Sequence, residues 1–167
     1  PPGHAITISG RDATPRRYWD VAWEPPIVIT DAAALDEVEA RLKESVRLRL
    51  MSEVPLGALL SGGVDSSLVV SLMSALLERP VQTFSVGFDE PEYDESAYAL
   101  MVSQRYRTTH HQLRVGNHQF NDLFPRMLWH NDEPLDFPNS IQIFALSQLA
   151  KQHVTVVLTG EGSDELF

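Results

Sequence analysis

The sequence predicts an α/β protein built on a doubly wound parallel sheet. Three observations support this class: short apolar runs alternate with longer amphipathic runs, polar glycine segments follow the apolar runs, and prolines separate the units. Strands of five or six residues that alternate with helices imply right-handed crossovers and a parallel sheet covered on both faces. At 167 residues, of which 43% are hydrophobic, the chain is about one domain in length and can bury a core.

The first 26 residues are expected to be extended and to end in a linker. Residues 1 to about 23 contain a loosely alternating run, 5–8, which Gly10 interrupts. The segment 23–26, Trp-Glu-Pro-Pro, is typical of a linker because paired prolines disfavour helix and stiffen the chain.

A helix is predicted from Asp31, its expected N-cap, to about Glu53. Its apolar residues recur at spacings of three and four, which places them on one face. They are Leu35, Val38, Leu42, Val46 and Leu50. We expect this helix to lie against the domain.

Strands and helices then alternate to the end of the chain. Strands are predicted at 56–60, 81–86, 110–115 and 154–158, and helices at 66–78, 94–105, 117–129 and 139–152. In sheets of this class ligands bind beyond the carboxyl ends of the strands, where the strand order reverses. If the second and third strands lie on one side of the first and the fourth on the other, the loops at Ser61 and Gly160 become neighbours.

The segment 61–67, Ser-Gly-Gly-Val-Asp-Ser-Ser, has the features of an anion-binding loop. It joins a predicted strand to a helix start, where backbone N–H groups and the positive end of the helix dipole face a ligand. Gly62 and Gly63 let a phosphate approach the backbone closely. Further donors are available from the hydroxyls of Ser61, Ser66 and Ser67. The segment therefore predicts a pyrophosphate site.

This loop differs from a Walker A loop, which needs a lysine after its second glycine. The chain has only two lysines, Lys43 and Lys151, and neither is near a glycine loop. Asp65 can instead bind Mg²⁺, a hard cation that prefers oxygen ligands. The alternative is an ordinary helix start at which Asp65 and Ser66 cap the backbone.

A second polar segment, 159–165, follows the fourth predicted strand with the sequence Thr-Gly-Glu-Gly-Ser-Asp-Glu. Its carboxylates Glu161, Asp164 and Glu165 repel one another unless a cation or a phosphate-bound metal lies among them. We expect Asp65 and Asp164 to hold Mg²⁺ between them, against phosphate oxygens. The alternative is an acidic helix start capped by Ser163 or Asp164.

Residues 60–67 and 158–167 together resemble the synthetase domain of glutamine-dependent asparagine synthetases. The S-G-G-x-D-S pattern is typical of the wider N-type ATP pyrophosphatase group, with its HUP-like fold. The G-E-G-S-D-E-L-F run narrows the resemblance to the asparagine synthetases. The similarity extends through 83–88 and His110-His111 and covers roughly residues 30 to 167. It implies that residues 1–26 are the tail of a preceding glutaminase domain with its linker. Residues 27–167 would be the amino-terminal part of a synthetase domain, and the chain an excerpt of a longer polypeptide.

The resemblance also implies a reaction. Enzymes of this family use the aspartate side chain to attack the α-phosphate of ATP, release pyrophosphate, and let ammonia displace AMP to give the amide. Here the ammonia would come from a glutaminase domain of the same polypeptide, the cofactors would be ATP and Mg²⁺, and a homodimer is among the assemblies allowed.

Roles carry over to matching positions of this sequence. The residues that would bind pyrophosphate are Ser61, Gly62, Gly63, Asp65, Ser66 and Ser67. Those that would contact the nucleotide are Leu60, Val86, Thr159 and Gly160. Glu161 would act near the adenylate and the incoming ammonia. Asp65 and Asp164 would organise magnesium, and together with Glu161 they would be the catalytic residues.

Two other functions stay open. One is a relative that amidates or cyclises a different carboxylate by the same adenylation, since residues 129–140 align only loosely with the acceptor region. The other is a nucleotide-binding module that has lost its chemistry. No glutamine hydrolysis is assigned to these residues, because the family's nucleophile is an amino-terminal cysteine and the sequence has none.

Charge and composition argue against several classes. A formal net charge of -10 disfavours nucleic-acid binding through phosphate neutralisation. No apolar run approaches the roughly 18 residues that a membrane span needs, and no signal segment is expected. Zero cysteines exclude disulfides and thiolate metal sites and fit a reducing compartment. We expect a cytoplasmic protein that binds neither nucleic acid nor a membrane.

Overall fold

A computed structural model describes residues 1–22, 27–132 and 139–165. The chain divides into two compact units, residues 1–37 and 38–167. The linker predicted at 23–26 lies outside the described residues, as do residues 133–138 of the segment aligned with the acceptor region.

The first unit contains a β-hairpin. Strand β1 (His4–Ser9) pairs antiparallel with β2 (Asp12–Arg17), so that His4 faces Arg17 and Ser9 faces Asp12. Gly10 in the turn has a φ of 61°, a conformation that glycine adopts without strain. The extended character expected of this segment is therefore confirmed over both strands.

Helix α1 (Asp31–Arg49) begins in the first unit and ends in the second. Thr30 is its N-cap, because the amide of Ala33 donates to Thr30 Oγ1 at 3.3 Å and the amide of Ala34 to the Thr30 carbonyl at 2.8 Å. The expectation that Asp31 is the cap is wrong by one residue. Asp31 stands in the first turn, where its charge favours the positive end of the helix dipole.

The second unit is built on a four-stranded parallel sheet with the order β5-β4-β3-β6. Its strands are β3 (Leu56–Leu59), β4 (Gln82–Phe88), β5 (Thr109–Val115) and β6 (Val156–Leu158). The second and third strands of the sheet thus lie on one side of the first, and the fourth on the other. This is the order that brings the loops after β3 and β6 together.

Helices cover both faces of this sheet. They are α2 (Val64–Leu76), α3 (Ser96–Tyr106), α4 (Asn117–Asn131) and α5 (Ser140–Ala150). One core combines Leu56, Ala58 and Leu60 with Val46, Val70, Met73, Val81 and Ala99, and a second combines Phe84 with Leu146, Ala150 and Val154. Burial on two faces confirms the doubly wound α/β class. Among the described residues, no helix has both the length and the apolar character that crossing a membrane requires.

Candidate functional site

The loop between β3 and α2 depends on glycine. Gly62 has a φ of +89°, and a Cβ there would lie 2.5 Å from Tyr98 Cβ and 2.6 Å from the amide nitrogen of Ala99. Only a residue without a side chain fits so close to the start of α3. Gly63 is the N-cap of α2 and no side chain caps this helix end, while Asp65 lies in the first turn. The geometry therefore differs from the alternative in which Asp65 and Ser66 cap the helix.

Two serines hold the loop closed around the helix start. Ser61 Oγ and Ser66 Oγ lie 3.0 Å apart, and the amide of Gly63 donates to Ser61 Oγ at 3.2 Å. Ser66 Oγ donates to the carbonyl of Gly63 at 3.3 Å. The first amides of a helix have no acceptor within the helix, so this end of α2 offers N–H donors and a positive dipole to an anion.

The loop after β6 packs directly on this helix start. A Cβ at Gly160 would lie 2.6 Å from the amide nitrogen of Ser66 and 2.8 Å from the carbonyl carbon of Asp65. Ser163 Oγ donates to the carbonyl of Gly160 at 2.8 Å and rounds the turn. Residues 161–165 form turns in the described part of this segment. The two glycine loops are therefore in contact at the carboxyl edge of neighbouring strands.

A cavity of about 420 Å³ lies at this edge. That volume is within the range of small-molecule sites. Nine residues named from the sequence line it: Leu60, Ser61, Gly63, Asp65, Ser66, Val86, Gly160, Glu161 and Asp164. Three others, Gly62, Ser67 and Thr159, are not among the lining residues. Ser67 Oγ is buried and has no hydrogen-bond partner among the described residues.

The described lining is acidic. Its charged residues are Asp65, Glu95, Glu161 and Asp164, and none of the described lining residues is lysine or arginine. Carboxylates gathered around a cavity repel one another and repel a phosphate, unless a cation lies between them. Carboxylate oxygens are the ligands that Mg²⁺ prefers, and Mg²⁺ is usually shared between one or two carboxylates and substrate phosphates. Among the described residues, no group of three or more histidine, cysteine or carboxylate side chains could hold a metal ion, so Mg²⁺ here would need phosphate oxygens in addition to one or two of these carboxylates.

The loop between β4 and α3 contributes Tyr93 and Glu95 to the lining. It is fixed by Asp94, whose Oδ1 accepts the amide of Ser96 at 3.1 Å and whose Oδ2 lies 3.4 Å from Arg114 Nη1. Hydrogen bonds from the side chain and the amide of Ser96 lower the pKa of Asp94, and the charge of Arg114 lowers it further. Arg114 Nη2 also donates to the carbonyl of Phe88.

His110 and His111 lie on opposite faces of the sheet, as the alternation of a strand requires. His110 contacts Thr83 and Ser85, whereas His111 Nε2 is 2.8 Å from Gln82 Oε1 and its ring stacks 3.8 Å from that of His153. Burial lowers the pKa of both histidines. For His110 the charge of His111 adds to this effect, and for His111 that of His153 does so.

Sequence reasoning missed seven of the lining residues. They are Leu59, Ser85, Phe88, Tyr93, Glu95, Gln142 and Leu146. A signal for some of them exists, because the polar segment that begins at Gly87 follows a strand in the same way as the two glycine loops do. Gln142 and Leu146 come from α5 and belong to no motif, so only the fold brings them to the cavity.

Comparisons with known proteins identify relatives of this chain. The family described as asparagine synthase matches residues 37–167. Over 167 residues the chain is 33% identical to the glutamine-hydrolyzing asparagine synthetase 1 of Bacillus subtilis, with 99% of this chain and 26% of that protein covered. It is 31% identical over 186 residues to the amidase chyE of Penicillium rubens, with 99% and 28% covered. The chain thus spans less than a third of the length of these relatives.

A solved structure shares the fold at low identity. The NH3-dependent NAD synthetase from Campylobacter jejuni, in complex with the nitrate ion, superimposes with a TM-score of 0.54 and 16% sequence identity. The match covers 78% of this chain and 58% of that one. The two chains therefore share an α/β fold.

Proposed function

Since the chain belongs to the asparagine synthase family, we propose that it is part of an ATP-dependent ligase that forms amides. The ligase adenylates the side-chain carboxylate of aspartate or a related acid, and ammonia from a glutaminase domain of the same polypeptide then displaces AMP. The products are the amide, AMP and pyrophosphate. In this proposal the cavity at the ends of β3, β4 and β6 is the nucleotide site.

One observation carries this proposal: the docking of the loop after β6 on the helix start of the loop after β3. Gly160 approaches Ser66 so closely that a Cβ would be 2.6 Å from its amide nitrogen. The contact places an N–H-rich helix start and the carboxylates Glu161 and Asp164 around one cavity. A helix start binds an anion, and the opposite loop supplies acid–base and metal-binding groups beside it.

The arrangement suits a reaction whose leaving group is pyrophosphate. Negative charge grows on the departing pyrophosphate in the transition state, so donors that point there stabilise the transition state more than the ground state. The donors on this side are the first amides of α2, whereas the hydroxyls of Ser61 and Ser66 already bond within the loop, with Ser66 Oγ donating to the Gly63 carbonyl. Ser67 is less suited to this role, because its hydroxyl is buried outside the cavity lining.

Magnesium, held by Asp65 and Asp164, would neutralise phosphate charge in a cavity whose described lining lacks a basic side chain. Glu161 lines the same cavity from the loop after β6 and is exposed. We assign it to the region of the adenylate and the incoming ammonia, where a carboxylate can accept a proton as the amide forms.

A second candidate is the same adenylation applied to a different acid, with amide formation or ring closure as the outcome. It is favoured by the relative from Penicillium rubens, which is named an amidase and is 31% identical over 99% of this chain. Both candidates use the same nucleotide chemistry and differ in the acceptor.

The nucleotide products test the proposal. The full-length protein is incubated with ATP, Mg²⁺, ammonia and a panel of acids that begins with aspartate, and the nucleotides are separated by chromatography. We expect AMP and pyrophosphate in equal amounts, formed only with a competent acid. ADP as the only nucleotide product would refute the proposal. AMP formation with another acid but not with aspartate would select the second candidate.

A further inference from the structure

A chain of polar side chains runs behind the wall of the cavity. It begins at Ser85, which lines the cavity and is 2% exposed. Ser85 Oγ lies 3.1 Å from His110 Nε2, and His110 Nδ1 lies 2.9 Å from Thr83 Oγ1. Thr83 Oγ1 is 2.7 Å from Thr108 Oγ1, which donates to Ser103 Oγ at 2.9 Å. Hydroxyls on β4, α3 and the residue before β5 thus form one hydrogen-bonded chain that includes the imidazole of His110.

Counting hydrogens gives this chain a direction. Each hydroxyl carries one hydrogen, and a neutral imidazole carries one N–H. The hydrogen of Thr108 goes to Ser103, so Thr108 must accept from Thr83. The hydrogen of Thr83 is then used, so Thr83 must accept from His110 Nδ1–H. His110 Nε2 is left with a lone pair, and it accepts the hydroxyl hydrogen of Ser85.

The direction has a consequence at the cavity wall. Because the hydrogen of Ser85 points to His110, the only other hydrogen-bonding capacity of its hydroxyl is to accept. Burial and the charge of His111 lower the pKa of His110, which favours the neutral ring that this direction needs. A protonated ring would donate at both nitrogens and reverse the bond to Ser85.

Ser85 lies on β4, next to Val86 and near Phe88, which also line the cavity. The donors for phosphate are on the helix start that follows Ser61, which lines the same cavity. A nucleotide whose phosphates bind at that helix start would place its base against the β4 residues. There an exocyclic amine of the base can donate to Ser85 Oγ, whereas an exocyclic carbonyl would place its oxygen lone pair against the lone pair of Ser85 Oγ.

We propose that His110 is a positioning residue that fixes Ser85 as a hydrogen-bond acceptor, and that Ser85 thereby selects a nucleotide whose base carries an exocyclic amine over one that carries a carbonyl. This inference rests on the proposed nucleotide site. It assigns to the strand face that carries Thr83 and Ser85 a role in discriminating between bases, in addition to the backbone contacts expected at Val86.

The tautomer of His110 provides a test that needs no ligand. In the full-length protein with ¹⁵N-labelled histidine, long-range ¹H–¹⁵N spectra distinguish the two neutral tautomers, and loss of one signal in His110→Gln assigns the residue. We expect the Nδ1–H form at neutral pH. The Nε2–H form would overturn the inference, because Ser85 would then accept from the ring and be free to donate.

Calorimetric titration with ATP and ITP, at equal Mg²⁺, tests the selection. We expect the wild type to bind ATP about tenfold or more tightly than ITP. Thr83→Val removes the acceptor of His110 Nδ1–H without changing the side-chain shape, which frees the ring to change tautomer. The ratio of the two affinities should then fall to within about threefold of unity. Thr109→Val, the same change at an exposed neighbour on β5, should leave the ratio unaltered.

The outcomes separate this inference from the proposed function. Binding of neither nucleotide would refute the nucleotide site and the selection together. Equal binding of ATP and ITP by the wild type would refute the selection alone, as would a folded Thr83→Val protein with an unchanged ratio. If Thr83→Val does not fold, Ser85→Ala serves instead, since removing the acceptor should abolish the preference, and a preserved preference would overturn the inference.

Discussion

Replacing Gly160 with alanine tests whether close contact of the two glycine loops sets the reaction geometry. The backbone of Gly160 lies outside the left-handed region, so alanine meets no conformational penalty there. Its Cβ would be 2.6 Å from the amide nitrogen of Ser66 and 2.9 Å from Asp65 Cβ. Ordinary contact begins at about 3.4 Å, so the loop after β6 must retreat by about 0.8 Å from the helix start.

The size of the effect follows from this retreat. Adding a methyl group to a packed contact costs about 1–3 kcal/mol of stability. A displacement near 1 Å between reacting groups costs about 100-fold in rate, so we expect kcat/KM for pyrophosphate release to fall roughly 10- to 100-fold. The change should appear mainly in kcat, because Glu161 and Asp164 move relative to the helix start to which we assign the phosphates.

Gly162→Ala is the matched control in the same turn. Gly162 has a φ of +91°, and a Cβ added there would have nothing within 4 Å, so alanine brings backbone strain without a clash. The strain costs about 1–2 kcal/mol, which is similar to the expected loss in Gly160→Ala. Thermal melting and continuous pyrophosphate release are measured on both full-length variants. If Gly160→Ala retains activity within threefold of Gly162→Ala, the contact does not set the geometry and the reasoning fails.

Two further predictions concern charge. Asp65→Asn should lower pyrophosphate release by roughly two to four orders of magnitude, since the amide keeps the shape but loses the negative charge that we propose binds Mg²⁺. The stability of the protein should change by less than about 1 kcal/mol, because Asp65 stands in the first turn of α2 and does not cap it. Near-normal turnover would contradict the proposed metal role. Stability should also decline as the pH falls below about 6.5, the ordinary pKa of histidine, because the folded-state pKa of His111 is lowered and the unfolded chain binds the proton more readily. Urea denaturation at several pH values measures this decline in stability. The decline should be smaller in His153→Gln, because the charge of His153 is one cause of the lowered pKa of His111. An equal decline in this variant would exclude the stacked His111–His153 pair as its source.

Local patterns in the sequence were sufficient for the four strands of the parallel sheet and for the glycine loops, whereas β2 was not predicted as a strand and α1 ends at Arg49 rather than near Glu53. The segment 61–67 combines glycines, hydroxyls and a helix start within seven residues, so its chemistry can be predicted from the sequence without knowledge of the fold. The N-cap of α1 was misplaced by one residue, because Thr30 and Asp31 are both good caps and only the backbone geometry separates them. The sequence alone does not fix the strand order, and the observed order β5-β4-β3-β6 is the one that makes the loops at Ser61 and Gly160 neighbours.

The rest of the cavity depends on contacts between distant segments. Gln142 reaches it from α5, about eighty residues after the glycine loop, and carries no motif that would single it out. From the sequence, His110 and His111 are adjacent on a strand, point to opposite faces and cannot chelate one metal together. That reasoning compared His110 only with its sequence neighbour, whereas its partners Thr83 and Ser85 lie on another strand. Hydrogen-bond networks across strands have no short-range signature.

The polar chain behind β4 is hard to explain by stability alone. A buried network in which every member is hydrogen-bonded contributes little net stability, and apolar side chains of the same shape can replace it at almost no cost. Phe84, the residue between Thr83 and Ser85, shows that this strand can carry a large apolar side chain into a core, where it is 0% exposed. The strand instead places hydroxyls on its other face, where Ser85 borders the cavity. A network that gives this wall a fixed hydrogen-bond polarity explains the placement, because an apolar replacement could fill the space but could not distinguish a donor from an acceptor on the ligand.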